Sequence, residues 1–479
     1  MDGGGSMRFT EDPVYPFSHF SPIYNWIYPV TGQRSAGVYE AGAMPLAGDG
    51  ERRSGRARAL YLHVPFCDTI CTFCPLVKGP LADAEMLEVY VRAVIAEIAL
   101  KGGIGELARL PIRAIFFGGG TPSLLQPAQI LRIGVALAEA FDLSALEEFS
   151  VEMEAKSITP ERVAAFRAIG VTHARFGIQT FSPRHRRSLN LTASIEQIGR
   201  AADLLRKSFP HASGDMLYGL HGQTGDEFVD DIEAVTGLGL DNIDFYPLNV
   251  FVVQKKLHRN YQGEAVEPLS GATKFHMTRA LRELMRDKGF LPHNGHGFVR
   301  VPAEEAARNP VVTRRYAFKY HQHVYGPDDN EYIGIGNSAL SYVGGRTLTN
   351  EMSRQRYVND LLGRNRLAVD VVRHPPPVNA SKAIAISLPY LGHLPLDRVR
   401  FEDLPDQTAR QLGEAIDHGL VERDEDELRL THAGWHWYVN LMFYFAPPGE
   451  QAAIAAIVMR DAEGSLLPKG TIDRLTRVA

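Results

Sequence analysis

Only three cysteines occur in the 479 residues, and all of them fall between positions 67 and 74, as Cys67, Cys71 and Cys74. An odd number confined to one short segment cannot form a disulfide framework, so the three thiols act together on a metal. In the run from Tyr61 through His63, Pro65, Phe66 and Phe73 to Cys74, spacings of four and three residues let one loop wrap three thiolates around a [4Fe–4S] cubane. The fourth iron is then left without a protein thiolate, open to another ligand. Zinc is the alternative; it needs a fourth ligand such as His63, and structural zinc sites usually draw on two separated arms.

The chain around this loop alternates short β-rich runs with longer helical ones. Ala59–Val64, Ile112–Phe117, Phe149–Met153, His173–Gly177, Gly214–Leu217 and Ile243–Leu248 read as six parallel strands. Between them, Leu87, Val91, Val94, Ile95 and Ile98 share one helical face, Thr159-Pro160 makes an N-cap and first turn, and Thr224 with Glu227 makes a capping box. Six right-handed βα units curl into a partial (β/α)6 TIM-type barrel, an α/β fold whose active site gathers at the C-terminal strand ends, and Cys67 follows such an end. Residues 59–365 are assigned to this barrel. Residues 1–58 read as an aromatic arm (Pro13, Tyr15, Pro16, Phe17, Phe20, Tyr24, Trp26) followed from about residue 36 by a linker without periodicity. Residues 366–479, opening on Pro375, Pro376 and Pro377 and closing on a helix through Trp435–Phe445, read as a helical, winged-helix-like domain.

Composition narrows the partners. A net charge of -5 lacks the basic excess of a nucleic-acid binder, even with a winged-helix-like unit present. With 45% apolar and 22% charged residues, no uninterrupted apolar span and no basic-then-apolar leader, the expectation is a cytoplasmic protein without a membrane partner.

The cysteine loop and the turn Phe116-Phe117-Gly118-Gly119-Gly120-Thr121-Pro122 after the second strand together resemble the radical S-adenosylmethionine (SAM) superfamily, and within it the oxygen-independent coproporphyrinogen III oxidase-like (HemN-like) family. The resemblance runs from Tyr61 to about Phe445. It implies a cluster on Cys67, Cys71 and Cys74 as both metal site and catalytic centre, and two SAM molecules as cofactors. One SAM is chelated by the open iron and cleaved to a 5′-deoxyadenosyl radical. Glycine at 119 and 120 permits close backbone approach to SAM's amino acid moiety, beside Thr121. By resemblance, Glu152, Gln179 and Asp215 contact SAM from strand ends, and Tyr61, Phe73, Asn249 and Leu340 surround the two molecules. Leu191 stands where the family pattern has an arginine.

Two departures bear on the reaction. Coproporphyrinogen oxidases carry another cysteine two residues after the third, whereas Pro75 and Leu76 follow Cys74 here. Heme-chaperone relatives carry a His-Asn-x-x-Tyr-Trp run, where this chain has His321, Gln322, His323 and Tyr325, so His321 and His323 are candidate heme ligands. The resulting expectation is a class C radical SAM transferase that moves a methyl or methylene unit to an sp² carbon of a small-molecule natural product, as in cyclopropanation in antibiotic biosynthesis. Tyr246, Asn249, Tyr325 and the arm around Phe17–Trp26 then make a flat pocket. The alternatives are a porphyrin-directed enzyme, acting on coproporphyrinogen III or opening heme, and a heme chaperone. A reductant such as flavodoxin or ferredoxin and a companion methyltransferase are expected partners by analogy. No residue reads as the final base or proton donor.

Overall fold

The computed structural model describes residues 7–12, 15–21, 23–24, 26–44, 57–250, 257, 267–316 and 318–464. Among the described residues thirteen strands form one sheet: β1 (Gln33–Tyr39), β2 (Ala57–Val64), β3 (Ile112–Gly119), β4 (Glu148–Glu154), β5 (His173–Gln179), β6 (His211–Tyr218), β7 (Asn242–Pro247), β8 (Phe290–Pro292), β9 (Gly297–Arg300), β10 (Asn330–Ile335), β11 (Leu340–Val343), β12 (Arg346–Asn350) and β13 (Leu367–Arg373). Their order is β1-β13-β12-β11-β10-β2-β3-β4-β5-β6-β7-β9-β8.

Strands β2 to β7 are the six expected from the sequence, paired in parallel and in chain order. A seventh parallel strand, β10, joins on the outer side of β2, with Leu60 opposite Ile333. It was not foreseen, because it follows a long excursion and returns to the start of the barrel instead of extending its growing edge. The α/β partial barrel is therefore present, flanked on both sides by antiparallel strands.

The crossover helices form where the pattern places them. Asp83 caps the helix Ala84–Gly102, which buries Leu87, Val91, Val94 and Ile98 against the sheet. Thr159 accepts from the Arg162 backbone N–H, and Thr224 and Glu227 make the reciprocal capping box. Burial of these apolar faces, at about 25 cal/mol per Å² removed from water, supplies the main core.

The linker reading needs correction over residues 36–39, which continue β1 and pair with β13; residues 45–56 lie outside those described. Most of β1 is exposed, so no burial alternation marks it in the sequence. The arm packs on the C-terminal unit: Phe17 is fully buried, and Phe20 stacks on Trp437 with ring centroids 5.5 Å apart. That unit carries a three-stranded sheet (His393–Pro395, Glu427–Leu430, Val421–Arg423) and the helices Asp406–Asp417, Tyr438–Phe445 and Pro448–Gly464. The closing helix breaks at Trp437, so His432–His436 is a separate turn. Among the described residues no helix is long and apolar enough to cross a membrane.

Candidate active site

A cavity of about 470 Å³ opens at the C-terminal ends of the parallel strands, and all three cysteines line it. The chain leaves β2, and Phe66–Cys67 pairs in parallel with Gly79–Pro80, which pinches the intervening loop at its neck. The Gly79 N–H donates to Pro65 O at 2.8 Å and Leu81 N–H to Cys67 O at 3.3 Å. The loop is then clamped from outside. The Thr72 hydroxyl donates to Ser188 O at 2.9 Å, Asn190 Nδ2 to Ile70 O at 2.8 Å, and Lys78 Nζ to Cys74 O at 2.7 Å. Lys156 bridges to Asp68 at 2.6 Å. A short loop that would otherwise be mobile is thus held by its own backbone carbonyls, leaving the thiols for a ligand.

The donor set fits a cluster better than a single ion. Burial, then neighbouring Cys74 and Cys67, pushes the Cys71 thiol up to about 12, and burial also raises Cys67. Three thiolates around one space would repel one another, and a cationic iron–sulfur core relieves that repulsion. Among the described residues no three His, Cys, Asp or Glu side chains converge on a single-ion position. His63 cannot serve as a fourth zinc ligand: its Nδ1 is bonded to the Tyr61 hydroxyl at 2.9 Å and its Nε2 to Val77 O at 2.8 Å. Burial lowers its pKa to about 4, so the ring is neutral, and Nε2 must carry the proton to reach that carbonyl.

The glycine turn is a cradle in the strict sense. Gly119 has φ +108°, and a Cβ there would lie 2.4 Å from the His63 ring; at Gly120 it would meet Phe66 O at 2.5 Å and Val64 O at 2.7 Å. The Gly119 N–H donates to Glu152 Oε2 at 3.2 Å, which ties the turn to the end of β4. Glu152, Gln179, Asp215, Asn249, Thr121 and Phe73 all line the cavity with the cysteines, as does Leu191. Gln179 adopts φ +71° where the β5–β6 register shifts, a costly geometry for a residue with a side chain and one that clusters at functional sites. Tyr61 and Leu340 are not brought to the wall. Tyr61 stacks on Tyr320, and Leu340 packs with the Tyr332–Tyr342 cluster.

Sequence reading missed the charged layer beneath. Arg175 Nη2 donates to Asp244 Oδ2 at 2.5 Å and to Asp215 Oδ1 at 3.0 Å, inside the barrel. Burial raises both carboxyls while the Arg175 guanidinium opposes the rise. Burial, reinforced by Asp215, lifts Glu152 to about 7. The available signal was a charge at an inward position of β5, two residues from Gly177 and opposite Glu152 in the register.

The far wall is aromatic: Tyr24, Tyr246, His296, His321 and Tyr325. Among the described arm residues around Phe17–Trp26 only Tyr24 reaches it, since Phe17 and Phe20 pack on Trp437. His321 Nδ1 is bonded to the Tyr390 hydroxyl at 2.7 Å, and Tyr390 stacks on Tyr325. His323, the other candidate heme ligand, points away and lines a different cavity.

The sequence signature of the Radical SAM superfamily matches residues 61–235. The chain is 28% identical over 364 residues to oxygen-independent coproporphyrinogen III oxidase of Bradyrhizobium diazoefficiens, covering 75% of each chain. It is 26% identical to anaerobilin synthase of Escherichia coli O157:H7, covering 81% of this chain and 84% of that one. The solved coproporphyrinogen III oxidase of Escherichia coli superposes with a TM-score of 0.68 over 82% of this chain and 91% of its own, at 22% identity, so the two share a fold. These similarities overturn the expectation of methyl or methylene transfer to a natural product: relatives matched along most of the chain carry tetrapyrrole names, and nothing among them supports transferase, cyclopropanation or antibiotic chemistry.

Proposed function

Residues 61–235 are a radical SAM domain in a HemN-like chain, and from that premise we propose an enzyme acting on a tetrapyrrole, with coproporphyrinogen III as its first candidate substrate. The observation that carries this reading is the similarity to coproporphyrinogen oxidase over three quarters of both chains, together with a cavity that runs from the cysteines to an aromatic wall. The cofactors are a [4Fe–4S] cluster and SAM, of which HemN-type enzymes bind two molecules. When bound to Cys67, Cys71 and Cys74, the cluster supplies the electron that cleaves SAM to methionine and a 5′-deoxyadenosyl radical.

The chain's own residues position and shield. Gly119 and Gly120 admit SAM's polar end to the backbone, and Glu152, Gln179 and Asp215 offer side chains to it, Asp215 being oriented by Arg175. Leu191, in place of an arginine, leaves an apolar contact at that point. Tyr246, His296 and Tyr325 present flat faces to the pyrrole rings of such a substrate, and the enclosing aromatic residues keep water from a reactive carbon centre. Heme is the second reading, favoured by Pro75 and Leu76 after Cys74, where coproporphyrinogen oxidases carry another cysteine.

The test is anaerobic reconstitution with iron and sulfide, dithionite reduction, and mass spectrometry of 5′-deoxyadenosine with coproporphyrinogen III or heme as substrate, beside Cys71→Ala. The expected result is cysteine-dependent deoxyadenosine with loss of carboxyl mass from coproporphyrinogen. Turnover of heme alone selects the second reading, and no substrate-dependent turnover with either sinks the tetrapyrrole assignment.

A further inference from the structure

The far wall of the catalytic cavity carries two imidazoles, His296 and His321, and the C-terminal unit holds both in the same way. The Tyr438 hydroxyl lies 3.3 Å from His296 Nδ1, and the Tyr390 hydroxyl lies 2.7 Å from His321 Nδ1. The Tyr390 ring also packs edge to face on both, with centroids 5.7 Å from His296 and 5.8 Å from His321.

These hydrogen bonds fix the tautomer. Burial lowers His296 to about 3 and holds His321 well below the usual histidine range, so both rings are neutral and carry one N–H each. Tyr390 and Tyr438 are themselves buried, and among the described residues neither hydroxyl has another acceptor. A buried O–H without an acceptor is costly, so each tyrosine donates to Nδ1 and each histidine keeps its proton on Nε2. Neither Nε2 has a protein partner among the described residues, and neither is one of the polar atoms closed off from solvent, so both N–H groups open on the cavity that their rings line. His296 thus offers an edge as well as a face.

The other charges of the cavity lie elsewhere. Among the described residues its only cations are Lys78 and Arg186, and both are engaged on the loops around the cysteines. Lys78 Nζ donates to Cys74 O and Leu76 O, and the Arg186 guanidinium donates to Ile178 O, Thr180 O and Ala193 O. The carboxyl groups that line the cavity, Glu152, Glu154 and Asp215, stand on β4 and β6 and disfavour a second anion there. Coproporphyrinogen III carries four carboxylates, and the two imidazole N–H groups are donors held ready for them on the opposite wall.

Building on the tetrapyrrole reading of this cavity, we propose that His296 and His321 bind carboxylate side chains of the substrate through their Nε2–H groups. The same tautomer turns a proton, not a lone pair, toward the cavity, so neither ring ligates iron while its tyrosine holds it. A hydrogen bond from N–H to a carboxylate is charge-assisted and stronger than one to a neutral amide of the same shape, so the pair distinguishes acid from amide.

The measurement is equilibrium binding to the reconstituted full-length protein, followed by porphyrin fluorescence. The probes are coproporphyrin III, the stable oxidised form of the candidate substrate, and its tetraamide. Wild type should bind the tetraacid at least about tenfold more tightly than the tetraamide. His296→Phe and His321→Phe should each weaken tetraacid binding by about tenfold and tetraamide binding by no more than about threefold, with SAM affinity unchanged. Ferric heme should give no low-spin, imidazole-ligated spectrum that depends on either residue. Failure of wild type to bind either porphyrin sinks the tetrapyrrole reading and the proposal with it. Porphyrin binding in which neither variant lowers the acid-to-amide ratio overturns the proposal alone, as does a low-spin heme spectrum lost in His296→Phe or His321→Phe.

Discussion

Tyr390 holds His321 through its hydroxyl, 2.7 Å from Nδ1, so a residue of the C-terminal unit sets the ring orientation of a histidine on the wall of the catalytic cavity. Burial keeps His321 well below the usual histidine range, so the ring is neutral and acts by hydrogen bonding, not as a cation. Tyr390→Phe keeps the stack on Tyr325, at 3.9 Å between ring centroids, while removing this one bond. The expected outcome is a loss of about 5- to 20-fold in kcat/KM for the tetrapyrrole with SAM affinity unchanged, from the usual worth of one hydrogen bond. Equal losses in SAM binding would show that the residue supports the fold and not the substrate.

Arg175 and Asp244 are 2% and 1% exposed at the side chain, and the guanidinium also holds Asp215. Removing it leaves two buried carboxyls without their counter-charge. Arg175→Met should cost about 3–5 kcal/mol of stability at neutral pH, the range for breaking one partner out of a buried ion pair. Urea unfolding reads this directly. Adding Asp244→Asn should restore part of the loss, because the two residues share one interaction.

What the sequence revealed, and what it hid, follows from the kind of signal each feature leaves. The six parallel strands and their caps are local patterns, and Thr159, Thr224 and Glu227 each act within their own turn. The cysteine loop is likewise local. Strand β10 was hidden because its pairing with β2 joins residues more than 250 positions apart, as Asn330 opposite Ala57 shows. The Arg175–Asp215–Asp244 layer was hidden for the same reason: each charge looks like an isolated strand residue until the register aligns them. Tyr61 and Leu340 carried family roles at their positions but are not among the residues that line the cavity; Tyr61 stacks on Tyr320 and Leu340 packs with Tyr332 and Tyr342. The reaction itself was misjudged from short motifs flanking the cluster, where similarity along most of the chain points elsewhere.

Gly119→Ala tests the cradle against mere turn strain. At φ +108° a Cβ costs about 1 kcal/mol or more from backbone strain, and here it also lies 2.4 Å from the His63 ring. Gly170 provides the control, at φ +93° with nothing within 4 Å of the added atom. The expected result is a fall in Tm at both positions, the larger for Gly119→Ala because its Cβ also meets the buried His63 ring, with SAM affinity lost by tenfold or more only for Gly119→Ala. Isothermal titration with SAM separates the two; equal affinities would remove the turn from the SAM site.

Glu152 gives the protein a pH dependence of predictable sign. Burial, then Asp215, raises its carboxyl from 4.5 to about 7 in the folded state, while in the unfolded chain it ionises near 4.5. Between those values the folded state binds the extra proton, so stability falls as pH rises from about 4.5 to about 7 and then levels off. Glu152→Gln keeps an oxygen acceptor for the Gly119 N–H and removes the titration. At pH 8 without SAM the variant should be more stable than wild type by up to about 3 kcal/mol, at about 1.4 kcal/mol per pKa unit, and at pH 4 the two should converge. Asp215, Asp244 and Glu148 are also raised by burial and add to the same slope in both proteins, so the difference between the curves isolates Glu152. Urea midpoints at pH 4, 6 and 8 measure it. A variant less stable than wild type at pH 8, by a deficit that closes as pH falls, would mean that Glu152 is ionised in the fold and stabilised there by Arg175, the reverse of the electrostatic order derived from its burial.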